Sequence, residues 1–249
     1  MWIKIKHQID SIKLLSGKPV RITDKIVFTQ PKLQSVIDFG EQPYYHVLYT
    51  LSAIPSDMKS VLWDAGIDWM DISDLELFYM LSQELSQEMT QIFFPNIDFS
   101  KFILVDQGNG DKLMYDKTND IKIDFFCHMR MMECLCRSHG IKKKVEKAGN
   151  KYTKQVLIDE DRQNRIIRSN KEFESNLFPL ISSMVNYSGF KYDYSTVWNL
   201  TMFQFMDAVQ RCKLIDSTNH LVSGIYAGTV DPKKIKNEKL NWMREVRED

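Results

Sequence analysis

Phe102-Ile103-Leu104-Val105, followed by Gly108-Asn109-Gly110-Asp111, Lys112-Leu113-Met114-Tyr115 and Ile121-Lys122-Ile123, is the stretch whose reading decides the fold. Short runs of β-branched, aromatic and long apolar residues, broken by a glycine-rich turn, predict a meander of two or three strands. On either side of it the apolar period is helical. Upstream, Ser73-Asp74-Leu75-Glu76 is a helix start: Ser73 can accept from the amide three residues on while Glu76 reaches back, and Ile72 can staple onto Leu77. Leu77, Leu81, Leu85 and Met89, with Phe78 beside them, then predict a helix face of about four turns. Downstream, a helix from about 124 to 139 stops at Gly140.

Further upstream, the first thirty residues read as extended, with 19–22 and 25–29 forming a small hairpin around Thr23-Asp24. Pro31 is placed to open a helix and Gly40 to close it, with Leu33, Val36 and Ile37 as its apolar stripe. An aromatic-rich helix over 44–51 stops at Pro55-Ser56-Asp57, and a short helix runs from there to Gly66. Residues 141–154 are polar and lysine-rich and read as a loop or exposed arm. Charged helices are expected over 156–169 and 173–187, and the strongest C-terminal helix over 195–214. Its Trp198, Met202, Phe205, Val209 and Cys212 recur at steps of four and three. After Gly224-Ile225-Tyr226-Ala227-Gly228, Asp231-Pro232 opens a last short helix with Ile235, Leu240 and Trp242. The class is therefore mainly helical α+β: an N-terminal β hairpin, a helical layer, a short central β meander and a helical C-terminal half. The pattern divides into 1–98, 99–123 and 124–249, or forms one continuous domain.

Composition narrows the function classes. The 249 residues carry 33 Lys+Arg against 33 Asp+Glu, so no overall basic field exists to hold a phosphate backbone. With 43% hydrophobic residues the chain can fold around a core without staples. Cys127, Cys134, Cys136 and Cys212 are too few and too clustered for a secreted disulfide scaffold, which points to a reducing compartment. Met1-Trp2-Ile3-Lys4-Ile5-Lys6-His7 lacks the continuous apolar run of a signal peptide, and no window approaches the roughly 20 apolar residues that cross a bilayer.

Three clusters invite chemistry. Cys127-His128, Cys134, Cys136 and His139 are soft metal ligands, yet they share one helix, where successive side chains point about 100° apart and cannot converge. Core filling explains them better, and no metal or other cofactor is expected. Asp64, Asp68, Asp71, Asp74 and Glu76 lack the alternate spacing of a calcium loop and read as caps and helix-start charges. Lys142, Lys143, Lys144, Lys147, Lys151 and Lys154 form the one strong single-sign run, either a solvated loop or a patch for phosphate or an acidic partner. Walker-type glycine loops, G-x-G-x-x-G, H-E-x-x-H and G-x-S-x-G are all missing from the sequence, so no enzyme class is favoured. Aromatic and methionine-rich helix faces serve as core filler and equally as adaptable binding surfaces.

Three longer stretches carry a resemblance. They are Thr29-Gln30-Pro31-Lys32-Leu33 with Ile37-Asp38-Phe39-Gly40-Glu41 and Tyr44-Tyr45; Pro55-Ser56-Asp57 with Leu62-Trp63-Asp64, Gly66-Ile67-Asp68 and the Ile72 to Phe78 segment; and 197–207 with Gly224 to Asp231. Together they resemble tail and baseplate proteins of tailed bacteriophages of low-GC Gram-positive hosts. Thr201-Met202-Phe203-Gln204-Phe205 is similar to the short C-terminal helix motif of tail assembly chaperones and baseplate-hub assembly proteins. The chain departs from the usual small tail chaperone in its length and its central β segment. The resemblance implies a non-enzymatic assembly protein in the host cytoplasm, binding other tail or baseplate proteins, with self-association as a further option. The alternatives are a stoichiometric component of the virion tail or baseplate and a nucleic-acid-associated phage protein using its lysine-rich loop. The expected partner-binding residues are Trp198, Met202, Phe205 and Val209, with Lys142, Lys143 and Lys144 as the charged candidates. Neither a membrane nor, in the favoured reading, nucleic acid is a partner.

Overall fold

Val20 and Arg21 (β1) pair antiparallel with Val27 and Phe28 (β2), in the register Val20↔Phe28 that the Thr23-Asp24 turn dictates. The computed structural model describes residues 9–108 and 110–245. Met1 to His7 and the turn residue Asn109 lie outside them. Within the first thirty residues one expectation fails: Ser11–Leu15 is a short helix (α1), capped by the Asp10 carboxylate accepting from the Ile12 amide. It is fixed by a remote partner, since Arg137 donates to Ser11 Oγ and to the Ile9 carbonyl.

Leu33–Phe39 (α2) and Glu41–Leu51 (α3) follow, divided at Gly40, whose φ of 93° is strained for any side chain. Lys59–Asp64 (α4) and Asp74–Ser82 (α5) complete a helical layer, and α5 starts with the Ser73/Glu76 capping box. The four-turn face expected beyond Leu77 is interrupted. α5 ends at Ser82, and a separate turn of helix, Gln87–Thr90 (α6), follows. Ser82 Oγ bonds back to the Tyr79 carbonyl and Gln83 donates to the Phe99 carbonyl at 2.7 Å, so the chain bends while Leu85, Phe93 and Phe94 still reach the core.

The central meander forms as read. Ile103–Asp106 (β3), Lys112–Asp116 (β4) and Ile121–Ile123 (β5) make an antiparallel sheet with β4 in the middle. Met114, Ile121 and Ile123 point to the buried face, and Asp116 closes the β4–β5 turn by accepting from the Thr118 amide and the Asn119 side chain. Phe125–Ser138 (α7) covers that face, with Asp124 as its N-cap.

Lys151–Ser169 (α8) starts a turn earlier than expected, because Asn150 caps the Thr153 amide. Leu177–Val185 (α9) is shorter than the helix expected over 173–187. The C-terminal helix is displaced: 197–199 is a 3-10 turn, Leu200 and Thr201 are extended, and Met202–Tyr226 (α10) runs well past 214. Its start is set by tertiary pairing. Leu33 N–H donates to the Leu200 carbonyl and Met202 N–H to the Pro31 carbonyl, both at 2.9 Å, while Thr201 and Gln204 close a capping box. The last helix expected after Asp231 is two 3-10 turns, Pro232–Lys234 and Asn237–Leu240.

The structure is thus mainly helical α+β, with ten α-helices, the small hairpin and the three-stranded sheet among the described residues. One apolar cluster runs from Ile9 through Phe28, Tyr44, Phe78, Phe93 and Cys134 to Phe205 and Val209. Substituting Thr201 by Ala removes the side-chain half of the α10 cap, and chemical denaturation is expected to record a loss of about 1–2 kcal/mol. An unchanged midpoint would mean that the two backbone bonds hold the helix start unaided.

Candidate interaction surfaces

The expected partner stripe on α10 is spent inside the fold. Met202, Phe205 and Val209 are buried in the main core with Leu33, Val36 and Val197, and the Phe205 ring lies edge-on to Phe190 at 6.2 Å. Trp198 is half-buried, and its indole donates to the Tyr194 carbonyl at 2.7 Å. The correction has a simple cause: a period reports that one face is apolar, and here the chain's own elements cover it. Phe205→Ala is expected to destabilise the fold by roughly 3–5 kcal/mol in denaturant titration. A loss under about 1 kcal/mol would contradict this placement.

The lysine segment is equally engaged. Lys143 pairs with Asp57 at 2.7 Å, Lys144 with Glu146 at 2.8 Å, and Lys154 with Asp68. Lys59 reaches back to Glu146 at 2.8 Å, and Arg162 to Asp64 at 2.6 Å. Asp161 accepts from both the amide and the hydroxyl of Ser60. Beneath these polar ties Ile158 of α8 is buried against Leu62, Trp69 and Leu77. Of the acids at 64–76 read from sequence as caps and helix-start charges, Asp64 and Asp68 therefore double as anchors for the basic arm and α8, together with Asp57. Hydrogen bonds from Lys144 and Lys59 hold the Glu146 carboxyl below the usual carboxylate range, and Lys154 does the same for Asp68. Lys142 and Lys144 keep exposed side chains, whereas Lys143 is half-buried. Between α3 and this arm lies a cleft of about 690 Å³ whose lining alternates Lys59, Lys143 and Arg168 with Asp57, Glu146 and Asp161.

The Cys/His cluster is dispersed over α7 as helix geometry requires. Burial pushes the Cys127 and Cys134 thiols up to about 12 and Cys136 to about 11. His128 lies against the Phe78 ring at 4.7 Å with its Nε2 enclosed and unbonded, and burial lowers its pKa to about 4. His139 Nδ1 lies 2.7 Å from the Leu135 carbonyl and Nε2 lies 2.5 Å from the Tyr44 hydroxyl, an arrangement that fits the neutral ring. Its pKa too is lowered to about 4 by burial. The folded state thus keeps both rings neutral, whereas the unfolded chain protonates them near 6.5. Stability is fully present above pH 6.5 and drains away as pH falls toward 4, by roughly 3 kcal/mol for the buried His128 and less for the partly accessible His139. In urea melts across that range, His128→Leu is expected to flatten the slope; an unchanged slope would place the proton uptake elsewhere.

What sequence reading missed lies farther along α10. Beyond Val209 only Thr218 of that helix is buried; Leu214, Ile215, Leu221, Val222 and Ile225 are half-buried. Their cover is the chain's own tail. Arg211 donates to the Trp242 and Arg244 carbonyls at 3.0 and 2.8 Å, Arg244 to the Lys239 carbonyl at 2.9 Å, and the Thr229 and Val230 amides to the Gly224 carbonyl. Tyr226, Trp242 and Met243 stay 88%, 49% and 68% exposed. The available signal was apolar residues on several sides of the helix after 212, a pattern that a single stripe does not contain.

Residues 168–247 match the family described as the YomV second domain; YomV is a phage-derived protein of a Bacillus SPbeta-like prophage. The match spans about a third of the chain, from the end of α8 through α9, α10 and the tail. It supports a phage protein. No curated protein and no solved structure matches the chain. Among the described residues no helix is long and apolar enough to cross a membrane.

Proposed function

We propose that this phage protein is a non-enzymatic assembly factor of the tail or baseplate, one that holds an apolar segment of another tail protein until docking. The observation that carries this reading is the distal half of α10. In the region similar to the YomV second domain, half-buried aliphatic residues lie along α10 with a thin 3-10 tail tied to it, Tyr226 exposed at the C-terminal end of the helix and Trp242 and Met243 exposed on the tail near Arg211. Exposed aromatic and methionine side chains flanking half-buried aliphatic ones suit an adaptable apolar partner. The likeness of 29–41, 55–78 and 197–207 to phage tail proteins gives the partner class. The lysine arm contributes little to nucleic-acid binding in this reading, because Lys143, Lys144 and Lys154 already face carboxylates.

The test is co-expression with the tail and baseplate proteins of the same phage, one at a time, followed by co-purification. The variant Tyr226→Ser/Trp242→Ser/Met243→Ser is expected to lose at least ten-fold in capture while its unfolding midpoint stays near that of the parent. Equal capture by parent and variant would overturn the assignment of the surface. Mass spectrometry of purified particles separates the two tail readings: an assembly factor is missing from them, and a virion component is present in fixed copy number.

A further inference from the structure

A second concave site, unrelated to α10, sits where α1, the following loop, β1 and α7 meet. It encloses about 510 Å³ and is lined by Lys13, Lys18, Arg21 and Arg130, with Asp10 as the one acidic residue in its wall. Asp10 is already engaged as the α1 cap. Arg21 leans at 3.5 Å on Asp24, an exposed pair of little strength. Among the described residues Lys13, Lys18 and Arg130 have no carboxylate within ion-pair distance. Lys143 and Arg162, by contrast, are paired with Asp57 and Asp64.

Arg130 supplies the second observation. One Nη1–H is committed to the Ile22 carbonyl at 3.1 Å, and Nε is fully enclosed with no acceptor. Enclosure of Nε fixes the guanidinium in the wall, and among the described residues the Ile22 carbonyl is the acceptor its terminal N–H groups have, which leaves donors for an anion in the pocket. The neighbouring carboxylate on the same helix, Glu133, is occupied by the Ile9 amide at 2.7 Å and by Arg137.

We propose that this pocket binds a phosphate group in its dianionic form, as inorganic phosphate or as the head of a small phosphomonoester. Four cations face Asp10 in the wall and Asp24 beside Arg21, which leaves a surplus of two positive charges that a dianion neutralises better than a single carboxylate. Arg130 offers a planar fork to two phosphate oxygens, and Lys13 and Lys18 act as mobile point charges. The apolar floor of Ile9, Pro19 and Val20 would take the organic part of an ester.

The experiment is titration calorimetry of the full chain with inorganic phosphate, glycerol 1-phosphate and a short single-stranded oligonucleotide, at constant ionic strength. Saturable one-to-one binding is expected for at least one of the two small phosphates, and the tighter of them identifies the source. Arg130→Gln is expected to weaken it at least ten-fold. Lys13→Gln/Lys18→Gln, on exposed side chains that leave the core untouched, is expected to weaken it several-fold, and Lys233→Gln on the tail to leave it unchanged. Should Arg130→Gln fail to fold, the lysine pair carries the test. No saturable signal, equal affinity in the lysine variant, or binding of the oligonucleotide alone would each overturn the proposal.

Discussion

Two backbone hydrogen bonds tie the first third of the chain to its last. The Leu33–Leu200 and Met202–Pro31 bonds form a one-residue antiparallel bridge at Lys32 and Thr201, and α2 and α10 both begin at it. Because the bridge requires extended backbone, neither helix can extend backwards through it. Because it fixes two helix starts at once, Leu33, Val36, Met202 and Phe205 enter the same core from adjacent origins. Gln204 adds a third tie, donating to the Leu15 carbonyl, so α1 and the hairpin are registered to the same point. A slip of one residue would turn these apolar faces by about 100°, out of the core.

The second constraint is electrostatic. A formal charge of zero conceals two opposed segments, acids at 57–76 and lysines at 142–154, and the fold sets them against each other. Individually such partly exposed pairs contribute little. Their effect is positional: with Ile158 seated among Leu62, Trp69 and Leu77, they lay α8 along α4 in a single register. Part of the basic field that a nucleic-acid reading required, at Lys143 and Lys154, is set against acids of the fold. Near-neutrality leaves the pocket around Arg130 as a local exception, set where the segment of α1 and β1 meets the remote α7.

Local signals survived translation from sequence to structure, and remote ones did not. Ser73 and Glu76 formed the capping box they spelled, Gly40 and Gly140 fell at helix ends, and the meander kept its strands, because each is decided by neighbours within a few residues. Ser11–Leu15 was illegible because Arg137, 126 residues from Ser11, helps to fix it. The start of α10 was misplaced because Val197 and Trp198 continue the apolar spacing, although Thr201 and Gln204 spelled the box that marks the true start. Of the expected binding residues, Met202, Phe205 and Val209 were correctly read as one apolar face, but a period cannot say which element will cover it. Of the pocket residues, Lys13, Lys18 and Arg21 lie close in sequence but Arg130 is more than a hundred residues away, and only the tertiary fold brings it to them.

The two halves of α10 obey different rules, and that contrast limits how a partner could engage the protein. A helix of 25 residues is about 37 Å long, and its buried residues in the main core end at Val209, so its distal turns are left to other cover. The tail does this with backbone carbonyls accepting from Arg211 and from the Thr218 hydroxyl, bonds to main chain that need little apolar contact, while Arg244 braces the tail internally. Such a cover is specific in position yet thin, and it leaves Leu214, Leu221 and Ile225 only half withdrawn from water. A partner seated there would gain the remaining apolar area at roughly 25 cal/mol per Å² without dismantling the main core. It would also have to keep the Arg211 and Arg244 bonds or replace them, because a guanidinium stripped of acceptors costs more than a half-buried leucine returns. An occupant must therefore pack beside the tail rather than displace it, which places Tyr226 and Trp242 at the rim of contact and the aliphatic residues at its floor.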